Sequence, residues 1–214
     1  MSRSHGLAGE FAAQSWSAPA RTPLYYPDAV TLVPGADPAA LAVRIDTAAP
    51  GASVKDSFAD VDLVGSGFQV LFEAQWIHRL PGAPTIASEL EWGRANTPEA
   101  LRAWAVAWDG GEGQADLFRP ELLEDPSVVV LSGCSAGGRV VAGAVANRSG
   151  EVVGVSNVFA VDGGTDAAWP LVLAAVDRVF PSLPVVGYEH GDDLAAAVRH
   201  GFAPVGPLRV WLHG

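Results

Sequence analysis

The chain has 214 residues, 49% of them hydrophobic and 17% charged, enough apolar side chain to bury a sizeable core and too little charge for a disordered polymer. Its formal net charge is −11 and 12 of its 13 basic residues are arginines, so no Lys/Arg stripe exists to neutralise a nucleic-acid backbone or an anionic membrane surface. The single cysteine, Cys134, excludes an intramolecular disulfide framework and a multi-cysteine zinc site, and fits a reducing, cytoplasmic compartment.

The length suggests one large domain, or one domain with an extension. No run reaches the ~18 consecutive apolar residues of a membrane helix. Residues 1–23 are small and polar, lack the apolar core of a signal peptide, and read as a flexible leader. After it, residues 29–33 (AVTLV) form a short apolar run, and Asp37-Pro38 opens a helix over 39–48 with Asp37 as N-cap and Pro38 at N1. Residues 53–58 read as a strand, and 68–77 (FQVLFEAQWI) as a longer one with β-branched and aromatic composition. Thr97-Pro98 caps a helix running to about Trp108, with the glycine-rich 109–113 as its exit.

In the second half, 127–131 (SVVVL), 139–146 (RVVAGAVA) and 152–161 (VVGVSNVFAV) are three β-rich runs separated by turn residues, the pattern of an antiparallel meander. Residues 169–180 follow as a helix, 183–188 (LPVVGY) as a strand, 192–200 as a helix ending at Gly201, and 207–212 as a last strand.

This order over 68–211, with Gly187-Tyr188-Glu189-His190-Gly191-Asp192 running through Gly201-Phe202 to Pro204-Val205-Gly206, resembles the GNAT superfamily of acyl-CoA-dependent N-acyltransferases. The resemblance implies an α/β fold with a mixed, mostly antiparallel sheet flanked by helices, here carrying an N-terminal extension over 24–67. That extension reads as a β-α-β layer. Its Gly67-Phe68 before a strand echoes Gly201-Phe202. The implied activity is transfer of an acetyl or other acyl group from acyl-CoA, as co-substrate, to a small-molecule or peptide amine.

The resemblance also assigns roles. Phe159, Ala160 and Val161 correspond to the strand segment that offers backbone groups to the pantetheine arm, and Gly163, Gly164 and Thr165 to the pyrophosphate turn. The family's Arg/Gln-x-x-Gly-x-Gly/Ala signature is absent there: Asp162 and Asp166 flank the glycines, followed by Trp169-Pro170. Phosphate binding and a plain helix-capping turn are both compatible with that segment. At the position of the family's frequent acid, a tyrosine four residues before the Gly-Phe glycine, stands Ala197. Tyr188 and Glu189, at a strand end, are then the available proton carriers, and Asn157, with Ser156, is placed to assist the thioester oxygen. Trp104 and Trp108, four apart on one helix, read as core, with an aromatic acceptor pocket as the alternative. A catalytically degenerate module that only binds is a further reading of these departures.

A rival motif is Gly133-Cys134-Ser135-Ala136-Gly137, a literal G-x-S-x-G after an apolar strand. A serine hydrolase using Ser135 needs strand, sharp turn and helix there, whereas Val140, Val141, Gly143 and Val145 favour a strand. Cys134 reads as inert. No histidine pair has metal-ligand spacing, so no metal is expected; the closing strand permits a homodimer.

Overall fold

The computed structural model describes residues 2–82 and 89–214. In chain order the elements are β1 (Glu10–Phe11), β2 (Ser15–Ser17), β3 (Ala29–Thr31), α1 (Pro38–Ala42), β4 (Ser53–Asp56), β5 (Phe68–Arg79), β6 (Glu91–Arg94) and α2 (Pro98–Asp109). They continue with β7 (Val128–Cys134), β8 (Val140–Ser149), β9 (Val152–Ala160), α3 (Gly164–Val179), β10 (Val185–Glu189), α4 (Gly191–Arg199) and β11 (Ala203–His213). The chain divides into two compact units, residues 1–76 with 205–214, and residues 77–204.

In the first unit β1, β2 and β3 pair antiparallel in sequence, β3 pairs parallel with β4 across the α1 connection, and β4 pairs antiparallel with β11. Residues 1–23, read from the sequence as a leader, contribute β1 and β2, and Ser15, Ser17 and Ala18 are buried. The core gathers Leu41, Val54, Leu63, Phe68 and Trp211. Asp28, 2% exposed, ties the unit together: its carboxylate accepts the Thr22 and Ser53 backbone N–H groups, each at 2.8 Å. α1 starts as expected, with the Asp37 carboxylate accepting the Ala39 N–H at 3.0 Å. It stops at Ala42 rather than near 48 because the chain tightens, Ile45 N–H bonding Ala42 O, and because Asp46 captures the Ala48 N–H at 3.0 Å. Short side-chain acceptors compete with the helix in this way.

In the second unit β7, β8 and β9 form the expected antiparallel meander; β6, not read from the sequence, pairs antiparallel with β7, and β10 joins β9 parallel. Successive strand residues face opposite sides, and the two sides carry different helices. On one, α2 lays Trp104 over β8, its indole N–H donating to Leu131 O at 2.8 Å. On the other, α3 and α4 bury Trp169, Val172, Val176, Ala196 and Ala197 with Leu131, Ala144, Val153, Val155 and Val185. Trp104 stacks edge-on with Phe118 and Phe159, and Trp108 with Phe118.

α2 needs a glycine below it. A Cβ on Gly143 would stand 2.7 Å from Phe159 Cε1 and 2.8 Å from Leu131 O, and closer still to Trp104 Nε1. Gly143→Ala is therefore expected to lower unfolding free energy by about 3 kcal/mol, combining overpacking with the loss of the Trp104 hydrogen bond. A urea titration showing an unchanged midpoint would contradict this packing.

α3 begins five residues before the sequence reading placed it. Pro170, second residue of the helix as read over 169–180, lies inside the observed helix, where it removes the N–H that would bond the Asp166 carbonyl. Burial of Ala168, Trp169, Val172 and Leu173 in the core holds the turn nonetheless. Trp169, 1% exposed, is thus a core residue and no part of a phosphate-facing loop.

The Gly-Phe echo is structural. Gly67 and Gly201 have φ of 84° and 89°. Their N–H groups bond the carbonyls three residues back, and the N–H groups of Phe68 and Phe202 bond those five back. Both phenylalanines are 3% exposed. Each pair closes a helical turn with a left-handed glycine and launches a long strand.

Candidate active site

The second unit contains a break in its own sheet. β9 and β10 pair only at Val153–Val185 and Gly154–Val186, although the strands run on to Ala160 and Glu189. The cause lies in β9. Opposite β8, Ser156 pairs with Val145 and Phe159 with Gly143, so Asn157 and Val158 together oppose Ala144. This is a β-bulge, and Asn157 takes φ 53° at it, a conformation asparagine tolerates better than most residues. Its Oδ1 accepts the Ser156 hydroxyl at 3.0 Å. Gly187 marks the last close approach of the two strands, since a Cβ there would lie 3.1 Å from Val155 O. Beyond it the two strands no longer pair, and the gap between them, with Asn157, Phe159 and Ala160 on one strand and Tyr188 and Glu189 on the other, forms a crevice.

The C-terminal end of β9 leads directly into α3. Gly163 and Gly164, with φ of 94° and 64°, make the turn, and the helix has no side-chain cap. Its first N–H groups, those of Thr165 among them, lack intrahelical partners and carry the positive end of the helix dipole. A Cβ on Gly163 would lie 2.8 Å from the Ala167 Cβ, so this position requires glycine on space as well as on φ. Val161 bonds back to Val141 O at 2.8 Å. Of the two flanking carboxylates, Asp166 is engaged by α4: its Oδ1 lies 3.1 Å from Arg199 Nη2 and 3.1 Å from His200 Nε2.

β10 leads into α4 at the same end of the sheet. Val185 faces the α3 core, so by alternation Glu189 shares that side and Tyr188 faces the α2 side. Burial, and then the charge of Asp193 in the first turn of α4, push the Glu189 carboxyl up to about 7. Burial, followed by the Glu189 charge, raises the Tyr188 phenol. The carboxyl is thus poised near neutrality, where it can exchange a proton at physiological pH, and the phenol on the opposite face of β10 stays protonated.

The crevice therefore brings Tyr188, Glu189, Asn157, Phe159 and Ala160 to two facing strands, with Gly163, Gly164 and Thr165 at its end. Ala197 is fully buried in the core. Ser135 is elsewhere: its motif forms the β7–β8 hairpin, with Gly138 N–H bonded to Ser135 O and Ser135 N–H to Arg139 O, and the next element is β8, not the helix a nucleophile elbow needs. Cys134 is half-buried, its Sγ 3.7 Å from Ser132 Oγ. Beside α2, a separate groove of about 400 Å³ is bounded by Glu91, Trp92, Arg94, Ser132 and Val140. The bulge at Asn157 and the spacing role of Gly187 were not read from the sequence; the signal was an asparagine inside a β-branched run and a glycine inside the next strand. No group of three or more His, Cys, Asp or Glu side chains suited to a metal occurs among the described residues. No helix among them is long and apolar enough to cross a membrane.

A meander, a parallel strand split from its neighbour by a bulge, and a helix starting on a bare glycine turn define the GNAT fold. Solved structures agree. A GCN5-related N-acetyltransferase from Kribbella flavida superposes with TM-score 0.65 at 18% identity, over 97% of this chain and 89% of that one. A protein of the GNAT family from Novosphingobium aromaticivorans gives 0.57 at 13% identity, over 96% and 91%. A conserved protein of unknown function from Staphylococcus epidermidis gives 0.68 at 10% identity, over 100% and 97%. No protein-family model and no curated protein matches the sequence.

Proposed function

We propose that the protein is an acyl-CoA-dependent N-acyltransferase, acetyl-CoA being the simplest donor, and that it acts on an amine. The observation that carries this reading is the crevice itself: a split parallel pair whose open end meets an uncapped helix N-terminus and a carboxyl held near neutrality. The co-substrate supplies an acyl group activated as a thioester. The residues fit it chemically, since Gly163, Gly164 and Thr165 present backbone N–H groups where a pyrophosphate is bound best, and the bulged strand from Asn157 to Ala160 no longer pairs with β10, leaving it facing the crevice.

Glu189 takes a proton from the acceptor ammonium, directly or through one water, so that the nitrogen lone pair becomes available. A C–N bond then forms as the C–S bond breaks, and Tyr188 gives its phenolic proton to the departing sulfur; the second proton, which the nitrogen sheds as it becomes an amide, returns through water to the Tyr188 phenolate, and Glu189 releases the first to solvent. The Asn157 amide N–H then donates to the carbonyl oxygen as negative charge develops there. Ala197 takes no part. Calorimetric titration with acetyl-CoA at low ionic strength is expected to give saturable binding tighter than about 100 µM, roughly −5.5 kcal/mol. No heat with acetyl-CoA or free CoA would overturn the proposal, and binding without turnover across an amine panel would favour a module that has kept the site and lost the reaction.

A further inference from the structure

The turn into α3 offers backbone N–H groups but no basic side chain, yet Arg199 and His200 stand beside the first turn of the helix. Arg199 and His200, at the end of α4, both converge on Oδ1 of Asp166: Arg199 through Nη2 at 3.1 Å and Nε at 3.2 Å, His200 through Nε2 at 3.1 Å. Asp166 is the third residue of α3, within one turn of the uncapped N-terminus. The Asp166 and Arg199 side chains are 53% and 56% exposed, and an ion pair so open to water is held weakly. A guanidinium is the side chain whose geometry matches a phosphoryl group in two parallel bonds. In a chain of net charge −11, the Arg199 guanidinium is a positive group within reach of an anion at the start of α3.

We infer that Arg199 and His200 are phosphate-binding residues for acyl-CoA, parked on Asp166 in the free protein and transferred to a phosphoryl group when the co-substrate docks. This rests on the acyl-CoA reading of the crevice and deepens it. Asp166 acts as a placeholder: it keeps the two side chains aligned with the helix start and competes with the ligand for them. Two substitutions at one contact thus have opposite signs, which a tie between helices would not produce.

The test is calorimetric binding of CoA and dephospho-CoA to the wild type and to Arg199→Ala, His200→Ala and Asp166→Ala, with thermal melts as folding controls. Arg199→Ala is expected to weaken CoA binding about tenfold and to flatten its salt dependence, His200→Ala to weaken it less, and Asp166→Ala to tighten it severalfold. A loss for Arg199→Ala seen with CoA alone assigns the contact to the 3′-phosphate, and an equal loss with both ligands assigns it to the pyrophosphate. Unchanged CoA binding by Arg199→Ala, or weakened binding by Asp166→Ala, would overturn the inference while leaving the acyl-CoA reading intact. Failure of the wild type to bind either ligand would overturn that reading and this inference with it.

Discussion

Glu189→Gln is expected to lower kcat about a hundredfold, at the modest end of what a positioned general base contributes, with little change in the KM for acyl-CoA. The glutamine keeps the size of the side chain and its place at the mouth of the crevice but has no carboxylate to accept the ammonium proton. The pH dependence is the sharper readout. Burial and Asp193 push the Glu189 carboxyl up to about 7, so the basic form is depleted below neutrality and the wild-type rate should rise with pH through about 7. In the variant that limb should vanish. Stability should move the other way: a carboxyl whose folded value lies above its unfolded value favours the fold at low pH, and this is lost as pH rises through about 7. At pH 8 the glutamine variant should therefore melt no lower than the wild type. An activity loss accompanied by a lower melting temperature at pH 8, with the pH limb retained, would remove Glu189 from the proton path.

The dependence on Asp193 explains why this role is only half visible in the linear chain. Tyr188-Glu189-His190 stands out as a polar cluster after an apolar run, and the order of elements places it at a strand end. Its electrostatics come from the first turn of the following helix and from burial, which sequence order does not express. The same holds for the phosphate end. Read linearly, Asp162 and Asp166 argue against an anion site, because both put negative charge beside Gly163 and Gly164. In the folded chain Asp166 is engaged by Arg199 and His200, more than thirty residues away, which removes its half of the objection.

Strong local signals were legible and tertiary compensation was not. Thr97 caps α2 by accepting the Ala100 N–H at 3.2 Å, Gly110 ends it in a left-handed conformation at φ 60°, and the three β-rich runs form the meander that their turns suggest. β6, with only Glu91-Trp92-Gly93-Arg94, has no alternation to betray it and exists because β7 pairs with it. β1 and β2 lie in a composition that reads as a tail, and become strands because Ser15 and Ser17 pair with Thr31 and Ala29. The helical spacing over 169–180 missed the first turn of α3, which runs from Gly164 and carries Pro170 in its interior, held there by Trp169 and its apolar neighbours.

The first unit repeats the plan of the second, a parallel pair joined by a helix and then a Gly-Phe turn, but its strands are tied where those of the second unit part. Beyond the Ala29–Val54 and Val30–Lys55 pairs, the Thr31 hydroxyl donates to Asp56 Oδ1 at 3.4 Å and accepts the Ser57 N–H at 2.7 Å. Asp56, fully buried, also accepts the Phe58 and Val61 N–H groups at 3.3 and 3.0 Å. The residue at the matching ladder position in the second unit is Gly187, which offers no side chain to close the gap. Asp56→Ala should therefore be severely destabilising, by about 3 kcal/mol, because it strands buried backbone donors and removes an acceptor that nothing nearby replaces. Asp56→Asn, which keeps one acceptor, should cost less. Neither should alter the affinity for acyl-CoA measured well below the melting transition, since the co-substrate is assigned to the other unit. Denaturant melts and calorimetry on the same samples separate the two effects. An Asp56→Ala protein that stays folded at 25 °C but has lost acyl-CoA binding would move the co-substrate's contacts into the first unit and break the assignment of one closed and one open crevice.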